Sequence, residues 1–163
     1  YPLVEHLWWE GINCYRGDMD DVLDRVYRVA CRYHASHVVR LTGDCPLLTP
    51  AIIDGTITTH LDGYDYTCNF INGEGGERLR GTDGQDVEVF TAETLLRAAK
   101  LATYREDREH VTPYMRRHAR NQGVWLDYPW SREHLSVDTE EDFTRVEEVL
   151  RCSQNPNDCC GEH

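Results

Sequence analysis

A chain of 163 residues with 40% hydrophobic content has material for one core, and nothing in it suggests two. Its 17 Lys and Arg stand against 29 Asp and Glu, and the formal charge of −12 repels a nucleic-acid backbone. Stable binding to DNA or RNA is thereby disfavoured, a small phosphorylated ligand screened by a divalent cation stays open, and the absence of any apolar run near 20 residues excludes a membrane-spanning helix.

In chain order, Leu3, Leu7, Trp8 and Trp9 carry a helical apolar spacing, and such large aromatics are expected in a core rather than on a binding platform. Gly11 to Tyr15 reads as a short strand. Arg16-Gly17-Asp18 then turns the chain into a helix, with Asp18 as its cap and Asp21 in the first turn. Met19, Val22, Leu23, Val26, Tyr27 and Ala30 fall at i, i+3, i+4, i+7, i+8 and i+11, an amphipathic face for packing on a sheet.

Val38 to Leu41 reads as a buried strand that Gly43 and Pro46 force to stop, leaving Asp44 at its C-terminal end. In an open α/β sheet that edge is where ligands bind. Asp44 is therefore either a turn residue or a carboxylate placed to hold a metal against a phosphorylated substrate. Pro50 opens a helix, Ala51 to His60, and a strand, Tyr64 to Phe70, follows. Strand, helix and strand with short joints point to the α/β class.

Asn72 to Gly84 holds five glycines among charged residues, with the spacing of neither a Walker loop nor a dinucleotide fingerprint. It is a surface loop or a lid. Gln85 to Phe90 alternates as a half-buried strand, and Thr91 caps the helix that follows. Pro113 places another helix start near Thr112, so Arg108, Glu109 and His110 sit at a helix entrance as a solvated turn or as ligand contacts. Val124 to Tyr128 and His134 to Val137 read as two further strands. Asp138 ends the second, repeating the placement of Asp44, and Thr139 with Asp142 makes a capping-box-like start to the last helix. Two strand-end carboxylates converging on one Mg²⁺ suit an ion that takes only one or two protein oxygens and leaves the rest to water and phosphate.

Seven cysteines cannot all pair with one another, and most sit where a free thiol behaves as a small apolar residue, which suits a reducing cytoplasm. Cys152, Cys159, Cys160 and His163 lack the C-x-x-C pair that a zinc site favours.

Five ordered blocks resemble one family: Gly17 to Arg25 (GDMDDVLDR), Val39 to Leu47 (VRLTGDCPL), Asp86 to Phe90 (DVEVF), Arg108 to Tyr114 (REHVTPY) and Leu135 to Phe143 (LSVDTEEDF). They are similar to the spore coat polysaccharide biosynthesis cytidylyltransferases, a branch of the acylneuraminate and Kdo cytidylyltransferases. The resemblance runs from about Gly11 to Leu150. It implies a nucleotide-diphospho-sugar transferase (GT-A-like) three-layer α/β/α sandwich with a mostly parallel mixed sheet. The implied reaction joins CTP to a sugar or sugar acid, releasing pyrophosphate, for surface polysaccharide synthesis. The same resemblance makes Asp44 and Asp138 the catalytic pair that holds Mg²⁺, and leaves Arg40, Asp86, Glu88, Arg108, Glu109 and His110 as candidates for orienting substrate.

Family members open on a strand and a glycine-rich loop with a basic Arg-x-x-Ser-x-Arg-Leu-Pro-x-Lys segment that binds the nucleotide phosphates. No such segment precedes Gly11 here. The resemblance therefore implies an N-terminally truncated domain over residues 1–151, with a disordered tail over 152–163, and the expectation that the chain alone releases no pyrophosphate from CTP. A glycosyltransferase of similar fold and a non-catalytic fragment are the rival readings, and a homodimer is left open.

Overall fold

The computed structural model describes residues 2–73 and 77–154. Glu74, Gly75 and Gly76 of the glycine loop, and Cys159, Cys160 and His163 of the tail, lie outside the described residues. In chain order the elements are α1 (Pro2–Trp9), α2 (Val22–Arg32), β1 (His37–Leu41), α3 (Pro50–Leu61), β2 (Tyr66–Cys68), β3 (Ile71–Asn72), β4 (Arg78–Arg80), β5 (Val87–Thr91), α4 (Ala92–Leu101), α5 (Arg105–His110), α6 (Pro113–His118), β6 (Gln122–Val124) and α7 (Glu140–Gln154). They gather into two compact units, residues 1–38 with 91–120 and residues 39–90 with 121–163.

The first unit is helical. Asp21, rather than Asp18, caps α2, its carboxylate accepting from the Asp24 N–H at 2.9 Å, while Asp18 accepts from the Asp20 and Asp21 N–H groups in the preceding turn. The face buries Leu23 and Ala30 but packs on α4 and α5 rather than on a sheet, and Met19, read as part of it, precedes the helix and is exposed. Thr91 caps α4 as expected, accepting from the Thr94 N–H. Residues 11–15, read as a strand, run irregularly, and no residue of α1 is buried. Trp8 and Trp9 are 70% and 77% exposed and meet edge to face, so the expectation that they enter a core is corrected. Their spacing is helical, yet α1 brings no apolar stripe under cover.

Arg108, Glu109 and His110 do not open the Pro113 helix but form the end of a separate short helix, α5. Between α5 and α6 the chain corners at buried Val111, whose φ of 70° and ψ of −54°, with Thr112 N–H donating to the His110 carbonyl at 2.8 Å, make a γ-turn. That conformation is strained for a β-branched residue. Full burial of Val111 and the docking of Arg117 on buried Asp107 at 2.6 Å oppose the strain.

The second unit carries the sheet, in the order β1-β5-β2-β6, with β3 and β4 as a separate antiparallel hairpin. β2 pairs antiparallel with β5 (Tyr66 opposite Phe90) and parallel with β6 (Tyr66 opposite Gln122). The α/β class stands, but the sheet is mixed with antiparallel pairing rather than mostly parallel, and β1, read as buried, ends the order with none of its residues buried. The physical reason is the connection. The β3–β4 hairpin between β2 and β5 reverses the chain without a crossover helix, and antiparallel neighbours need none.

Pro50 pre-sets the first turn of α3, which packs on β2 and β6 and delivers Ile52 to a core with Val87 and Val89, flanked by Ile57, Trp125 and Tyr128. Gly55 gives Trp125 its place, since a Cβ there would fall 2.2 Å from the indole. β5 is buried from Val87 to Phe90, not half-buried, because inside the unit Glu88 is ion-paired with Arg40 and accepts a hydrogen bond from the Tyr66 hydroxyl, each at 2.6 Å. No helix among the described residues is long and apolar enough to cross a membrane.

Candidate active site

The backbone carries the residue before Asp138 against Asp44. The stretch read as a strand over His134 to Val137 makes only one bridge among the described residues, Asp83 with His134, and then passes the turn after β1, where Val137 N–H donates to the Asp44 carbonyl at 2.9 Å. Gly84 permits this close passage. It holds φ +92°, and a Cβ on it would fall 2.2 Å from the backbone of Leu135 and Ser136. Leu135 N–H donates to the Asp83 carbonyl at 2.8 Å, closing the same contact.

Both carboxylates face solvent. Among the described residues, the bonds made to the Asp138 carboxylate fall on one oxygen, Oδ2, which accepts from Ser136 Oγ at 2.8 Å and lies 3.3 Å from His134 Nε2. The other oxygen, Oδ1, is left for a ligand. On the opposite side, Asp44 Oδ1 accepts a weak bond from the Cys45 thiol at 3.6 Å. Burial pushes that thiol above its ordinary value, and the neighbouring Asp44 and Asp86 carboxylates push it further, while bonds to Thr42 and to the Asp86 backbone oppose the rise. Asp86 therefore belongs to the same neighbourhood as Asp44.

Asp86 is itself pushed up, first by burial, and is held by Arg78, whose Nη2 donates to it at 2.7 Å and to Asp83 at 3.4 Å. The Arg78 guanidinium also lies 4.4 Å from the centre of the Phe70 ring. Beside it opens a cavity of about 270 Å³, near the lower limit for a small-molecule site, lined among others by Arg78, Asp83, Trp130, Arg132, Glu133 and His134.

His134, Asp138 and Asp142 present ligand atoms within 4.8 Å of one another. Asp142 is nonetheless a helix cap. Its Oδ2 accepts from the Asp138 N–H, the Thr139 N–H and the Thr139 hydroxyl, and its Oδ1 from Arg145 at 2.7 Å. The Thr139 hydroxyl bond is the largest influence holding the Asp142 carboxyl at about 2, with Arg145 adding to it against some burial. The capping box read from the sequence is therefore present, as Asp142 N–H donates back to Thr139 Oγ at 3.2 Å. Asp44 and Asp138 are exposed carboxylates on adjoining backbone, oxygen donors of the kind a hard cation takes, and Asp138 Oδ1 carries no bond among the described residues.

The remaining sequence candidates divide between the units. Arg40 and Glu88 form the buried ion pair of the sheet, and Asp86 pairs with Arg78. In the helical unit Arg108 donates to Asp21 Oδ2 from Nε at 3.0 Å and to the Ala99 carbonyl at 3.0 Å, clamping α5 to α2, while Glu109 lies 3.6 Å from Arg105. The sequence reading missed His134, Asp83, Ser136, Trp130 and Arg132. No local signal marked them, since Asp83 and His134 meet across 51 positions.

A family model described as Cytidylyltransferase matches residues 3–157. The chain is 37% identical over 141 residues to an uncharacterized protein of Methanocaldococcus jannaschii, covering 82% of this chain and 54% of that protein. It is 32% identical over 156 residues to the spore coat polysaccharide biosynthesis protein SpsF of Bacillus subtilis, covering 91% of this chain and 61% of SpsF. It thus spans less than two thirds of either relative. Among solved structures, a cytidylyltransferase from Leptospira borgpetersenii superposes with a TM-score of 0.78 at 23% identity, covering 99% of this chain and 74% of that one. A CMP:2-keto-3-deoxy-manno-octonic acid synthetase complexed with CTP superposes with a TM-score of 0.67 at 14% identity, covering 94% and 78%. Both likenesses place the chain in the same α/β fold.

Proposed function

We propose that this chain, which belongs to the cytidylyltransferase family, serves the transfer of CMP from CTP to a sugar or sugar acid with release of pyrophosphate, in the synthesis of a nucleotide sugar for surface polysaccharide. The observation that supports the reading is the Val137–Asp44 backbone bond, which joins the turn after β1 to the segment that carries Asp138. Asp44 and Asp138 would hold Mg²⁺, and the ion would supply neutralising charge for the phosphates when bound. The polysaccharide role of SpsF supports the product class, and the complex of the synthetase of similar fold with CTP supports the nucleotide.

The chain's own residues do the positioning. The cavity beside His134 is the proposed place for the acceptor, with Trp130 as a face for a sugar ring and Arg132 as a donor to its hydroxyl or carboxylate oxygens. Asp86 supports it through Arg78, which lines the cavity and donates to the Asp86 carboxylate at 2.7 Å. A cytoplasmic setting suits the free thiols of Cys14, Cys31, Cys45 and Cys68.

Pyrophosphate release with each of the four nucleoside triphosphates and a panel of sugars and sugar acids tests this reading. It is measured for the chain alone and for the chain fused behind the N-terminal segment of SpsF. CTP-selective, acceptor-dependent release in either arrangement supports the proposal. Its absence from both, or transfer only from a preformed nucleotide sugar as a glycosyltransferase would show, contradicts it.

A further inference from the structure

Asp138 is exposed, and an exposed carboxylate turns freely unless something holds it. Here two groups meet its Oδ2, the Ser136 hydroxyl at 2.8 Å and the His134 ring. Its Nδ1 lies 2.6 Å from Asp83 Oδ2 and its Nε2 lies 3.3 Å from Asp138 Oδ2. The backbone is fixed on both sides of the ring, the His134 carbonyl accepting from Arg145 Nη2 at 2.7 Å and the next N–H donating to the Asp83 carbonyl at 2.8 Å. His134 thus stands between Asp83 and Asp138, with its ring held at Nδ1 and its backbone held on both sides.

We propose that His134 is a positioning residue: anchored by Asp83, it engages one oxygen of Asp138 together with Ser136 and so presents the other to the metal shared with Asp44. The inference rests on the metal-pair reading above. Two alternatives are less well served. Asp142 also lies near Nε2, at 3.8 Å, but that oxygen already accepts three hydrogen bonds as the α7 cap. The ring as a direct ligand would set nitrogen on a hard cation that selects oxygen.

Paramagnetic broadening of backbone amide signals by Mn²⁺, used in place of Mg²⁺, reads the site with neither CTP nor acceptor present. Broadening centred on Asp44 and Asp138 is expected in the unaltered chain. His134→Ala should weaken it by about 10-fold or more, the scale of losing a group that orients a metal ligand. His134→Gln, whose amide still reaches toward Asp138 as a donor, should recover most of the loss. Unchanged or tighter Mn²⁺ binding in His134→Ala overturns the proposal, and so does a His134→Gln variant as weak as His134→Ala, which would make the ring itself a ligand. Should His134→Ala lose its dispersed spectrum, Asp83→Ala decides, because it keeps the backbone bridge while removing the acceptor of the ring: weaker binding supports the proposal and unchanged binding overturns it. An unaltered chain with no broadening at either carboxylate sinks the metal pair and this inference together, whereas missing turnover with intact broadening sinks only the CMP-transfer reading.

Discussion

A strand-end aspartate that holds a metal and one that merely ends a strand differ in what their removal costs. Asp44→Asn and Asp138→Asn keep shape and remove one negative charge each. If both carboxylates face a shared Mg²⁺, turnover falls by roughly 10²-fold to 10³-fold, about 3 to 4 kcal/mol of lost transition-state stabilisation, while the melting temperature hardly moves. A turn role predicts the reverse, a small loss of stability with the rate kept. Kinetics and melting measured on the same two variants separate the cases. Asp142 belongs to the second kind. Its folded value of about 2 lies below the roughly 3.9 of an unfolded aspartate, so its contribution is complete above about pH 4 and is lost as pH falls toward 2. Acid unfolding should therefore show a limb in that window for the unaltered chain that is flattened in Asp142→Asn, and parallel curves would contradict the assignment.

At the scale of elements, the site depends on one passage of chain past another at Gly84. Gly84→Ala adds a Cβ at 2.2 Å from the Leu135 and Ser136 backbone and keeps a φ of +92° that L side chains avoid. A loss of about 2 kcal/mol or more is expected, with the Asp83–His134 and Ser136–Asp138 bonds disturbed together. Chemical denaturation measures the first effect and the Mn²⁺ broadening pattern the second. Stability within about 0.5 kcal/mol of the unaltered chain would show that this contact does not set the site.

What was legible in the sequence follows the same division between near and far. The Thr139–Asp142 box and the Thr91 cap span three residues, and β1 is announced by its own composition, although it reads as buried and Val39 and Leu41 are exposed. The Arg108–Asp21 clamp joins positions 87 apart, and the Asp83–His134 contact joins positions 51 apart, so spacing cannot reveal either. The alternation of Gln85 to Phe90 suggested one wet face, because only the fold supplies Arg40 and Tyr66 to bury Glu88.

For the whole molecule, sheet direction was the misreading with the largest reach. Alternating strands and helices suggested crossovers throughout, whereas the β3–β4 hairpin lets β2 and β5 run antiparallel. The correction leaves the site intact, since the turn after β1 and the segment before α7 still meet at the Val137–Asp44 bond. The central claim, that Asp44 and Asp138 serve CMP transfer to a sugar, is tested most directly with CTP labelled at its α-phosphate, Mg²⁺ and an acceptor panel, in the chain alone and behind the SpsF segment. The account predicts label in a sugar-linked product, unlabelled pyrophosphate released in equal amount, and loss of both in Asp44→Asn and Asp138→Asn. Labelled sugar product undiminished in those two variants, or no labelled sugar product in either arrangement, would contradict it.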